Sequence, residues 1–169
     1  LPILKQYAFE VYGTVHRPQR PGELLHMKPI PATDLALEDG RTVDVPAFYV
    51  STCEVPYVAW QRVWRWAVSP MYAFEPGYVF NRVGDMGSMD YGSLPHGPDE
   101  PVTDMTWLDA VAWCNALSEL EGKGPVYYAD RGLTRVFRKV RERWYDRKTN
   151  AEYAPRVFVK WSANGYRLP

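Results

Sequence analysis

The sequence predicts an irregular α+β fold with two main helices and short antiparallel strands. Two stretches hold apolar side chains at helical spacing between start and stop signals, one after Pro56 and one after Thr106. Fifteen prolines, twelve glycines, twelve tyrosines and seven tryptophans describe a chain whose turns are set by residue chemistry. At 169 residues it suits one domain with room for an appendage.

The elements follow in order. Residues 1–40 carry Pro2, Pro18, Pro21, Pro29 and Pro31 and read as an extended arm, with an edge strand over Tyr7–Tyr12. Residues 41–169 form the body. In "GRTVDVPAFYVSTCEV", Val43, Val45, Phe48 and Val50 alternate with polar or turn residues around Pro46, which predicts a strand pair entering the core. Pro56 opens a first helix through Val58, Arg62, Val63, Trp66 and Ala67, stopped at Ser69-Pro70. Residues 69–101 hold five prolines and five glycines and no sustained period, so they form a long structured loop.

The second helix is the clearest. Thr106 and Asp109 make a capping-box-like start, and Gly122 supplies the residue just past its end. Trp107, Ala110, Val111, Cys114 and Leu117 fall on one face. Val126–Tyr128 and Val157–Trp161 read as strands. Between them, Leu133, Val136, Phe137, Val140 and Trp144 recur at helical spacing among eight basic and three acidic residues of 130–148. This predicts a basic amphipathic helix over 131–148, within an insertion at 129–156. In "WSANGYRLP" the Asn164-Gly165 pair signals a turn, since both residues tolerate positive φ, and Tyr166-Arg-Leu runs extended.

Twenty basic and twenty acidic residues cancel, which argues against nucleic acid or an anionic membrane as partner. No stretch approaches the roughly 20 apolar residues of a membrane-spanning helix. Cys53 and Cys114 are too few for a disulfide scaffold; they read as buried free thiols, with a disulfide as the alternative. His16, His26 and His96 lack ligand spacing. Asp85, Asp90, His96, Asp99 and Glu100 gather in one loop without the spacing of a calcium-binding hand, and read as solvated.

"EV" at 54–55, "PVTDMTWLDAVAWCNALSELEG", "PVYY" and "WSANGYRLP", in that order, are similar to the formylglycine-generating enzyme domain, or sulfatase-modifying-factor domain. The match runs over about residues 43–128 and 157–169, and the middle block is its specific part. Pro56 replaces the usual Thr and Ala116 a common Trp, which alter packing more than chemistry, and Thr106 stands for a Ser and keeps the cap. The resemblance implies a C-type-lectin-like architecture of which this chain is the N-terminal half, the C-terminal half being incomplete. It also implies an oxygen-dependent, metal-dependent oxidoreductase as the parent, using copper and calcium whose ligands lie in the absent half. Partners would be that half or a companion chain, in an extracytoplasmic (periplasmic or secreted) location.

The residues themselves assign no catalytic, cofactor or metal position. Arg138, Arg141, Trp144 and Arg147 on the basic helix are candidates for binding a protein partner, because Arg and Trp concentrate interface energy. Trp107, Asp109, Cys114, Tyr166 and Leu168 are expected to be structural, and Arg167 to sit in an internal ion pair. Two functions follow: a modifying oxidase completed by the other half, or a catalytically silent lectin-like scaffold in a larger complex.

Overall fold

The computed structural model describes residues 25–68, 77–87, 97–140, 144–146, 151–153 and 155–169, with 144–146 and 151–153 as backbone. The strand expected at Tyr7–Tyr12 lies outside these residues, as do Asp90, His96, Arg141 and Arg147. Among the described residues there are ten short strands, all in two-stranded antiparallel ladders, and two helices, so the fold is mixed α and β as expected. Strand β1 (Met27–Ile30) pairs with β4 (Phe48–Ser51), and β2 (Thr33–Ala36) pairs with β3 (Thr42–Val45). Both ladders are largely exposed, which corrects the expectation that residues 43–50 enter the core. Alternation gave the strands correctly. It could not say that neither face of such a narrow ribbon would find a helix to cover it.

Helix α1 (Tyr57–Val68) buries Ala59, Trp60, Val63 and Ala67. Its first free amides are met by the loop before α2: Tyr57 N–H donates to the Glu100 carbonyl and Val58 N–H to that of Pro98, both at 2.8 Å. Helix α2 (Trp107–Leu120) starts with the capping box the sequence signals, Thr106 and Asp109 each accepting from the other's backbone N–H. The helices meet through Trp60 and Trp113, stacked at 5.5 Å between ring centroids, with the Trp113 indole donating to the Trp60 carbonyl at 3.1 Å. The Trp60 indole donates to the Val83 carbonyl at 2.8 Å, which draws the loop at 83–84 against α1. Beyond that loop, β5 (Asp85–Met86) pairs with β6 (Val102–Thr103).

Nearly every side chain of α2 from Val111 onward is buried, so it is a central helix rather than one with a single covered face. Trp107 is the correction at its start: as the first residue of the helix it is 60% exposed, and the buried positions begin at Asp109.

The basic helix expected over 131–148 is absent among the described residues, and strands and turns take its place. Strand β7 (Tyr127–Tyr128) pairs with β10 (Phe158–Val159) on one side. On the other side the chain folds straight back, Phe137 N–H donating to the Tyr127 carbonyl and Ala129 N–H to that of Arg135. The Asp130 carboxylate accepts from the N–H groups of Thr134 and Arg135, and Leu133 sits at φ 54°, which a right-handed helix excludes. Of the apolar residues at helical spacing, Leu133 therefore lies in the turn and Val136, Phe137 and Val140 in a returning segment held by isolated bridges, with Phe137 and Val140 entering the core. Strands β8 (Trp144–Asp146) and β9 (Ala151–Tyr153) form a further ladder within the same segment.

Candidate functional site

Asn115 is the hub of the interior. Its side-chain amide donates to the Tyr127 and Phe137 carbonyls at 2.8 and 3.0 Å, and its carbonyl accepts from the Val126 and Tyr127 amides at 2.9 Å. One buried side chain thus replaces the ladder partners that α2 denies the strands beside it. One turn on, the Ser118 hydroxyl donates to the Cys114 carbonyl and accepts from Tyr166 N–H at 2.8 Å. This explains the glycine at 165 better than turn geometry does, since Gly165 is not among the residues at positive φ. A Cβ there would collide with the Gly124 carbonyl oxygen and the Ser118 hydroxyl. Asn164 contributes separately, accepting from Gly124 N–H at 2.8 Å.

A second cluster holds Arg138. Its guanidinium pairs with Glu119, which also accepts from the Tyr78 hydroxyl at 3.0 Å. Burial and then the Glu119 carboxylate push the Tyr78 phenol well above its ordinary range, so it stays a neutral donor. Burial opposes the charge on Arg138, and Glu119 outweighs it, leaving the guanidinium more firmly charged than usual. Arg138 is therefore half-buried in a contact that ties the returning segment and residue 78 to α2. Of the four residues proposed to bind a partner, it is the one whose side chain is described. The structure gives Trp144 a backbone place in β8 and leaves Arg141 and Arg147 outside the described residues.

The third cluster joins Glu121, Lys123 and Tyr166, the tyrosine hydroxyl donating to Glu121 at 2.6 Å and accepting from Lys123 at 2.9 Å. Leu168 N–H donates to the Tyr127 hydroxyl at 2.8 Å. Arg167, expected in an internal ion pair, is instead exposed and lies over the Trp161 ring at 5.2 Å. An exposed aromatic face served the guanidinium where an anion was anticipated.

The two thiols are both free and sit in different surroundings. Burial pushes Cys114 up from 9.0 to about 12, so it is a neutral thiol inside α2, while Cys53 is exposed beyond β4. Burial of both thiols was expected, and Cys53 is the exception. Asp85 and Glu100 of the oxygen-rich loop accept from the Met86 and Gly97 amides, a turn-forming use of carboxylates. No group of three potential metal ligands occurs among the described residues.

What remains is a surface that sequence reasoning did not single out. Leu35, Val43, Phe48, Tyr49 and Val50 all stand exposed on the first four strands, Tyr49 at 68%. The signal was available in residues 43–50: Val43 and Val45 share one side of their strand, and in the next strand Phe48 and Val50 share a side while Tyr49 takes the other, whether or not those sides are covered.

No family model matches the chain. It is 36% identical over 73 residues to the chaperone protein LppX of Paenibacillus barcinonensis, a stretch covering 43% of this chain and 23% of that protein. Its fold is similar to the crystal structure of CarF, with a TM-score of 0.58 and 21% identity over 86% of this chain and 52% of that one. Treponema denticola variable protein 1 aligns with a TM-score of 0.49 and 23% identity, over 85% of this chain and 48% of that one. The chain thus spans about half the length of these solved structures and under a quarter of the curated relative. No described helix is long and apolar enough to cross a membrane.

Proposed function

We propose that this chain is a non-catalytic, polypeptide-binding part of a C-type-lectin-like domain of the formylglycine-generating type, with α2 as its scaffold and the N-terminal strands as its binding surface. One observation supports this above others. The buried polar side chains in hand, Asp109, Asn115 and Ser118, are all used in holding segments of the chain to one another. Large apolar side chains meanwhile stand exposed on β2, β3 and β4, Leu35 and Val43 on one ladder and Phe48, Tyr49 and Val50 on the other. The described relative that bears the name of a chaperone agrees with a polypeptide as ligand. The test is fluorescence anisotropy of a labelled, chemically unfolded protein titrated with the purified chain. Saturable binding that weakens in Phe48→Ser/Tyr49→Ser supports the proposal, and binding unchanged in that variant overturns it.

A second reading, favoured by the ordered match of "PVTDMTWLDAVAWCNALSELEG" and "NGYRLP", makes the complete protein an oxygen- and metal-dependent oxidase. The full-length protein incubated with copper, oxygen and a cysteine-bearing peptide decides between them. Conversion of the thiol to an aldehyde, seen by mass spectrometry, would establish the second reading.

A further inference from the structure

The β2–β3 ribbon has two chemically distinct faces. Its register sets Asp34 opposite Asp44 and Leu35 opposite Val43. Because paired residues of an antiparallel ladder share a face and successive residues alternate, the two carboxylates lie together on one side. Leu35 and Val43 lie together on the other, 53% and 44% exposed. Both aspartates are exposed, and like charges directly opposite each other weaken a ladder rather than build it. No cation is paired with either among the described residues; the nearby Arg41 is held by Asp39 at 2.7 Å. Among the described residues the sheet has two strands, so each carries one edge with no ladder partner there.

We infer that an edge of this ribbon accepts an extended polypeptide segment in which basic and apolar residues alternate. The inference deepens the polypeptide-binding reading and rests on it. An added strand takes its backbone bonds from the free edge and sends successive side chains to opposite faces. A segment with lysine or arginine at every second position then lays its cations on the face that carries Asp34 and Asp44, next to the aspartate of the edge it joins, and its apolar groups on the face that carries Leu35 and Val43. Charge complementarity selects this occupant over a second copy of the same ribbon, whose own aspartates would meet these with the same sign.

The experiment compares three labelled, end-blocked peptides binding to the full chain: alternating valine and lysine, alternating valine and glutamate, and a block peptide with the valine–lysine composition. The alternating lysine peptide should bind at least about fivefold more tightly than either control, with the margin over glutamate shrinking as salt rises. In Asp34→Lys/Asp44→Lys, two exposed changes, preference should reverse toward glutamate. Equal binding of all three peptides would overturn the inference and leave polypeptide binding standing. If neither peptides nor unfolded protein bind, both fall. Sedimentation showing a dimer that Asp34→Lys/Asp44→Lys dissociates would likewise overturn it, in favour of a second copy.

Discussion

Helix α2 and the β2–β3 ribbon treat their polar groups in opposite ways. On α2, Asp109, Asn115 and Ser118 are buried and each bonds to backbone from another part of the chain. On the ribbon, Asp34 and Asp44 face each other in water and Leu35 and Val43 do the same behind them. A buried amide with all its bonds made specifies one arrangement of the segments it touches. Exposed groups that repel or lack cover leave contacts for something else to make. The difference separates the part that holds the fold from the part proposed to meet a partner.

The largest effect should come from Asn115→Ala, which strands the Val126 and Tyr127 amides and the Phe137 carbonyl and removes one of two donors from the Tyr127 carbonyl; a loss of ~3–5 kcal/mol in urea unfolding is expected. Gly165→Ala should cost ~2–3 kcal/mol by forcing the terminal segment off Ser118 and Gly124. Alkaline pH should weaken the helix side in a calculable direction. The folded Cys114 thiol keeps its proton to about 12 while the unfolded one releases it near 9.0. Stability is therefore fully present below pH 9 and falls above it, by ~1.4 kcal/mol per pH unit from this group. Burial raises Tyr78 and Tyr127 too, so they act in the same sense. Cys114→Ala should flatten the decline, and in the native protein a thiol reagent should modify Cys53 well before Cys114. Thr106→Ala should cost ~1 kcal/mol through the lost cap. Leu35→Ser should change stability by under ~0.5 kcal/mol while weakening peptide binding, the reverse of the α2 variants.

The same contrast explains what could be read from the sequence. Capping, spacing and the closing glycine of α2 are local chemistry, and they located it within a residue. The two strands predicted on either side of Pro46 were legible for the same reason, though they pair with β2 and β1 and not with each other. Burial was not, because coverage of a strand depends on distant segments, and so Cys53, Trp107 and the strand at 48–51 came out more exposed than expected. The region at 131–140 misled through a coincidence of spacing. Leu133, Val136, Phe137 and Val140 fit a helix period, but Asp130 and the positive φ of Leu133 commit the chain to a turn first. Arg138 then reads as a surface arginine until Glu119 and Tyr78, 19 and 41 or more residues away in the sequence from their partners, are brought beside it. Asn115 and Ser118 carried no signal, since a polar residue in a helix announces neither its burial nor its partners.

The most direct measurement is hydrogen–deuterium exchange of the full chain with and without saturating alternating valine–lysine peptide, read by mass spectrometry. The account predicts new protection confined to amides of residues 33–45, with α2 already protected and unchanged. Protection that appears instead on 107–120, or binding that leaves 33–45 exchanging as before, would contradict it.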